Sequence, residues 1–439
     1  MTTRPLAVRW NPLDWPLTHG PIPYAVLIAG WAALLLLAWS RHRRWRAPRL
    51  LGALLLGGAL TAAVKLGVDG WWRPFPEGTP DFVMRWIAVA LFAVALLCFR
   101  LPLLTRHRTR LLAVGGAVLV LLMSSSQVNR GFDQYPTARA MMTPDTPVLT
   151  TDRAADTLAA TPGAPLEETW HAPPGLPAKG TLAVTSIPGH ASGFRARPAY
   201  VYLPPAYQAT PRPLLPVLVL LPGQPGGPED WVNSGGIQGL MDDFAAAHRG
   251  LAPIVVVPDP IGAPFTNTLC MDSRIAKAQT YLAVDVPAWI DQHLQAAPGR
   301  TARAVGGISF GGTCALQLAV NAPQVYGSFL DYSGQQEPTL GSRQKTVKKA
   351  FDGDEAAFTA VDPLHLMARQ KFPDTAGRFV VGAWDHEFRP MQEKVYAAAR
   401  EAGMDVTQQA YPGWHGWAVW RQGLQQDLPW LAARTGLIR

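Results

Sequence analysis

The first 127 residues constrain this chain most, because four apolar runs, at 22–39, 50–68, 86–99 and 111–123, are separated only by short Arg-rich or Trp/Pro-rich pieces. Each run is close to, or somewhat short of, the roughly 20 residues that cross a bilayer as a helix. A chain in lipid must satisfy its backbone N–H and C=O groups internally, so the runs predict four transmembrane helices. A cleaved signal peptide is disfavoured at the first run. Asn11, Pro12 and Asp14 make a poor positive n-region, and three more runs follow.

Arginine placement sets the expected orientation. Arg41, Arg43, Arg44, Arg46 and Arg49 lie between runs one and two, and Arg106, Arg108 and Arg110 between runs three and four. Both loops are therefore expected on the cytoplasmic side and everything after run four outside it, giving a multi-pass protein of the cell membrane. These eight arginines equal the whole formal net charge of +8, so the basic balance reflects membrane topology and no nucleic-acid partner is expected. Lys65 and Asp69, four residues apart near the outer end of the second run, are expected to snorkel to the surface.

From about residue 128 the composition changes to that of a water-soluble chain. Residues 128–179 hold scattered Pro144, Pro147, Pro162, Pro165, Pro173 and Pro174 with no sustained period, which reads as an extracytoplasmic linker. Residues 180–439 then alternate strand-like and helix-like stretches. Strands are expected at 181–187, 199–203, 217–221, 254–257, 302–306, 328–332, 379–383 and 407–411, with helices at 237–248, 281–294, 312–322 and 391–401. The runs at 217–221 and 254–257 are apolar throughout, as in strands covered on both faces. This order predicts an α/β domain with a mostly parallel sheet.

A serine hydroxyl becomes a useful nucleophile only when a base takes its proton, an acid orients that base, and donors await the oxyanion. The segment Gly307-Ile308-Ser309-Phe310-Gly311-Gly312 falls between an expected strand and an expected helix. That is the context of a nucleophile elbow, where small neighbours let the backbone turn sharply under Ser309. His415, in the loop after the last strand, is the expected base; eight of the ten histidines precede Ser309 or lie in cytoplasmic loops, or fall before the acid-bearing strand, as His365 does. The acid is expected after strand 379–383, where Asp385 comes first and Glu387 is the alternative. Phe310 and Gln224 are the expected oxyanion donors, the latter in Pro222-Gly223-Gln224-Pro225-Gly226-Gly227, where Pro225 has no N–H to offer.

Cys270 and Cys314 fall in the part expected outside the cytoplasm, where a disulfide is permitted; a small buried apolar role for Cys314 is the alternative. Trp231, Trp384, Trp414, Trp417 and Trp420 lie near the expected site loops and are candidates for an apolar pocket, a membrane interface or simple core packing. No metal-ligand motif occurs, and no cofactor is required for serine acyl transfer.

Taken together, the elbow, Asn267-Thr268-Leu269-Cys270-Met271-Asp272-Ser273, Tyr281-Leu282, Asp285-Val286-Pro287, Ser333-Gly334 and Pro412-Gly413-Trp414-His415-Gly416-Trp417 resemble the putative esterase family, which includes esterase D and the secreted mycolyltransferases. The resemblance spans roughly residues 180–430, and the four-helix front end looks like a membrane-fused actinobacterial branch. It implies an α/β-hydrolase acting on carboxylic esters, with Ser309, Asp385 and His415 at the family's triad positions. Pro222-Gly223 stands where many members have His-Gly, and the glutamate acid of the mycolyltransferases keeps Glu387 in contention. The expectation is a membrane-anchored extracytoplasmic serine esterase with a lipid or envelope-glycolipid ester as candidate substrate. An acyltransferase using the same site and a non-catalytic binding or assembly module are the alternatives. Oligomeric state is left open.

Overall fold

The computed structural model describes residues 11–39, 43–72, 77–142, 144–152, 156–159 and 164–439. Arg41 and Pro162 lie outside the described residues. The chain forms two compact units, Met1–Thr143 and Pro144–Arg439.

In the first unit each apolar run becomes a helix: α1 (Pro21–Ala38), α2 (Arg43–Lys65, continuing as a π-helical turn Leu66–Trp72), α3 (Asp81–Arg100) and α4 (His107–Phe132). Among the described residues, four helices are long and apolar enough to cross a membrane. Neighbours pack α1 on α4, α4 on α3 and α3 on α2, burying Leu34, Leu37, Ala93, Leu96, Val120 and Met123. Ile28, Leu35, Leu55 and Leu112 instead project outward and are exposed. Water would penalise that apolar surface, whereas lipid tails would not. Asp69 accepts hydrogen bonds from the backbone N–H (2.9 Å) and hydroxyl (2.7 Å) of Thr79, and Lys65 reaches Asp81 at 3.8 Å with both side chains exposed.

The stretch 128–179 divides between the units. Residues 128–132 complete α4, and Arg139 pairs with Asp14 at 2.6 Å. Farther on, Leu166 and Trp170 are buried against the second unit, and the Trp170 indole donates to the Arg249 carbonyl at 3.0 Å.

The second unit is built on an eight-stranded sheet: β1 (Thr181–Thr185), β2 (Ala199–Leu203), β3 (Val217–Leu221), β4 (Ile254–Val257), β5 (Arg303–Ile308), β6 (Ser328–Tyr332), β7 (Ala376–Gly382) and β8 (Asp405–Tyr411). Their order across the sheet is β8-β7-β6-β5-β3-β4-β2-β1. The six strands from β8 to β4 are parallel, and β2 and β1 add an antiparallel margin. Alternation sends Val217, Val219 and Leu221 to one face and Leu218 and Leu220 to the other, all buried. Burial of each such side chain contributes on the order of 2 kcal/mol before the ordering cost of the chain is set against it. Helices α6 (Val286–His293), α7 (Phe310–Asn321) and α8 (Phe388–Glu401) cover the first face, and α5 (Ile237–Ala247) and α9 (Trp417–Arg434) the second.

Two departures from the expected pattern have local causes. The helix expected at 281–294 opens as a π-helical turn, Tyr281–Asp285, because Pro287 in the first turn of α6 has no N–H for the preceding turn. Helix α9 follows the loop of His415 without a clean amphipathic break, and Trp417 and Trp420, expected only to lie near the site loops, are its buried first turn.

Candidate active site

All the expected site residues follow the carboxyl ends of parallel strands, where an open α/β sheet leaves its crevice. In the register of β3 with β5, Leu221 stands opposite Gly307. The loop that leaves β3 at Pro222 and the turn that leaves β5 at Ser309 are therefore adjacent.

Ser309 has φ 52° and ψ −118°, a strained conformation for a residue with a side chain, and it caps α7. Its N–H donates to the Tyr332 carbonyl at 2.7 Å, and its own carbonyl accepts from Thr313 N–H at 3.1 Å. Small neighbours make the bend possible. A Cβ on Gly311 would lie 2.3 Å from the Leu221 oxygen, and one on Gly307 would lie 2.3 Å from the Gly311 carbonyl.

The structure brings Ser309, His415 and Asp385 into one hydrogen-bonded row. His415 Nε2 lies 2.9 Å from Ser309 Oγ, and His415 Nδ1 lies 2.8 Å from Asp385 Oδ2. An ionised Asp385 can only accept, which assigns the imidazole proton to Nδ1 and leaves the Nε2 lone pair facing the serine hydroxyl. The ring is held between Phe388, with centroids 3.9 Å apart, and the edge of Trp420 at 5.1 Å. Asp385 is buried and its Oδ1 accepts from Phe388 N–H at 3.2 Å. Backbone bonds from Ala383 to Tyr411 (2.7 Å) and from Trp384 to Gly413 (3.0 Å) stitch the acid loop to the base loop. Glu387 is exposed at the cap position of α8.

Phe310 occupies the first position of α7, where an N–H has no partner within its helix. In the neighbouring loop a Cβ on Gly223 would sit 3.7 Å from the Ser309 Cβ, so the loop lies directly against the serine. The Gln224 side chain donates to the Phe265 carbonyl at 3.3 Å.

Cys270 and Cys314 form a disulfide between the segment after β4 and α7. Among the five tryptophans, Trp231, Trp417 and Trp420 are core residues, whereas Trp384 and Trp414 are exposed and meet edge to face at 6.0 Å. Among the described residues no group of three or more His, Cys, Asp or Glu is arranged to hold a metal ion.

Sequence reasoning missed three charged residues around the site. Asp331, fully buried on β6, accepts from Gly334 N–H (2.9 Å) and the Gln392 amide (2.7 Å), and burial pushes its carboxyl up to about 7. Arg197 and Asp259 form an ion pair at 2.8 Å beside the Pro222–Gly227 loop. Nothing in their local sequence separates Arg197 from Arg195, or Asp259 from other loop aspartates.

A family model described as putative esterase matches residues 194–431. An uncharacterized protein of Corynebacterium glutamicum is 36% identical over 412 residues, covering 92% of this chain and 93% of that protein, so both units are shared with it. Among solved structures, a ferulic acid esterase aligns at TM-score 0.51 and 18% identity over 58% of this chain and 98% of its own. An S-formylglutathione hydrolase from Agrobacterium tumefaciens aligns at TM-score 0.50 and 19% identity over 59% of this chain and 97% of its own. At these identities the two structures establish the α/β-hydrolase fold.

Proposed function

The chain belongs to the putative esterase family, and from that premise we propose that it is a membrane-anchored extracytoplasmic serine esterase with Ser309 as nucleophile, His415 as base and Asp385 as acid. Family membership makes it a hydrolase or acyltransferase acting on an ester. The observation that carries the residue assignment is the position of the His415 ring, 2.9 Å from the serine hydroxyl on one side and 2.8 Å from the Asp385 carboxylate on the other.

In the proposed reaction Ser309 Oγ attacks the ester carbonyl as its proton passes to His415 Nε2. Asp385 stabilises the resulting imidazolium and keeps its own charge. The negative oxygen that develops is held by the backbone N–H groups of Phe310 and Gln224. Collapse breaks the C–O bond, the alcohol leaves with the proton from His415, and the acyl group stays on Ser309. A water molecule, deprotonated by His415, then attacks the acyl-enzyme and returns the serine. If an acceptor hydroxyl takes the place of that water, the same intermediate gives acyl transfer. Location motivates lipid or envelope-glycolipid esters as substrates.

The extracytoplasmic placement rests on the two arginine-rich loops and gains support from the Cys270–Cys314 disulfide, since such bonds persist in oxidising compartments. Fluorophosphonate labelling of the detergent-solubilised protein, wild type beside Ser309→Ala, tests the catalytic reading. A modified peptide containing Ser309 in wild type alone is expected; a folded wild type that takes no label would sink the proposal.

A further inference from the structure

Proline 225 and the three glycines around it leave the Pro222–Gly227 loop with little side-chain packing of its own, yet an oxyanion donor has to be held to within a few tenths of an ångström of its working position. One guanidinium reaches the loop from a neighbouring segment. Arg197 Nη2 donates to the Gly226 carbonyl at 2.9 Å, while Nε (2.9 Å) and Nη2 (2.8 Å) both engage the Asp259 carboxylate. The two protons of Nη2 thus divide between Asp259 and Gly226.

Asp259 is itself fixed. It is fully buried and accepts from the backbone N–H groups of Arg197 (2.8 Å), Ile261 (3.2 Å) and Gly262 (3.1 Å). Burial opposes its ionisation, but the hydrogen bonds and charge of Arg197 outweigh that and hold its carboxyl below the usual carboxylate range. With Nε and Nη2 of the planar fork held by a rigid carboxylate, the direction of the second Nη2–H is set, and here it meets the carbonyl two residues after Gln224. On the far side of the loop, Gly226 N–H donates to the Pro264 carbonyl at 3.2 Å, and Gly227 N–H to Asp230 at 2.9 Å.

We propose that Arg197, oriented by Asp259, is a positioning residue that sets the Gln224 N–H for the oxyanion through its bond to Gly226. It touches neither substrate nor reacting atoms. A lysine in its place keeps the charge but cannot span both oxygens of Asp259 and reach Gly226 in one plane. The proposal rests on the serine-esterase reading.

The test uses the full chain in detergent: wild type, Arg197→Lys and Asp259→Asn, with p-nitrophenyl acetate as substrate and the active-site concentration fixed by fluorophosphonate titration. A trifluoromethyl ketone, whose serine adduct carries an oxyanion, supplies a second readout. We expect kcat per titrated site to fall roughly 10- to 100-fold in both variants, KM to stay within about two-fold, and the ketone Ki to rise by about the factor that kcat loses. Unchanged kcat per titrated site overturns the proposal, even when the titratable fraction drops, because the pair then only supports folding. A ketone Ki that stays at the wild-type value overturns it too. Folded wild type that neither takes the label nor turns over the ester is a different failure, that of the esterase reading itself.

Discussion

Cys270 and Cys314 are bonded to one another across 44 residues of chain, joining the segment that leaves β4 to the helix that starts after Ser309. The same segment carries Asp259 and the Pro264 and Phe265 carbonyls that hold the Pro222–Gly227 loop. A single covalent bond therefore ties that segment to the helix bearing Phe310.

Loss of that bond should destabilise the second unit. By loop-closure entropy a crosslink over 44 residues is worth about 4 kcal/mol at most, and native bonds commonly give about 2–4. We expect Cys270→Ser/Cys314→Ala to lower the thermal midpoint in detergent by several degrees. Dithiothreitol should reproduce the shift in wild type and leave the double variant unmoved; an equal shift in both would refute the account.

The acid assignment separates cleanly by substitution. Asp385→Asn should lower kcat by roughly 10⁴-fold, because an amide no longer selects the Nδ1–H tautomer of His415. Glu387→Gln, altering an exposed side chain at the cap of α8, should stay within about two-fold of wild type. The reverse ranking in initial-rate assays would move the acid to Glu387.

Gly311→Ala should impair both folding and turnover. The new methyl would fall 2.3 Å from the Leu221 oxygen and 2.7 Å from the Pro222 oxygen, both backbone atoms at the start of the proposed oxyanion loop. Overpacking of this kind costs about 1–3 kcal/mol. A variant with wild-type melting and wild-type kcat would show that the loop yields freely.

Stability should fall as pH rises from about 4 to about 7. Burial raises the Asp331 carboxyl from 3.8 to about 7 in the folded chain. In that window the unfolded chain has released the proton and the folded chain still binds it, so the folded state loses ground by up to about 1.4 kcal/mol per pH unit. Asp427, raised to about 6 first by burial, acts with the same sign. We expect Asp331→Asn to flatten the pH dependence of the denaturation midpoint across about pH 4–7. An unaltered slope would show that the buried carboxyl does not titrate there.

The local pattern of the chain determined much of its architecture. Apolar runs of bilayer-spanning length marked four helices, and fully apolar runs marked β2, β3 and β4 with the bounds the structure has, because strands such as 217–221 are covered on both faces and carry no polar residue. The Gly-x-Ser-x-Gly turn was legible in part for a local reason: the constraint on Gly307 comes from Gly311 four residues on, whereas the constraint on Gly311 comes from Leu221 and Pro222, which only the fold brings there. The rest depended on neighbours distant in sequence. Only the sheet order places the loop after β3 beside the turn after β5 and sets the 309–415 and 385–415 distances. Likewise Arg197 and Asp259, 62 residues apart, look like ordinary surface charges until folding desolvates the carboxylate and leaves the guanidinium as its partner. A local pattern records what a segment buries; it does not record which charge a distant segment will bring to it.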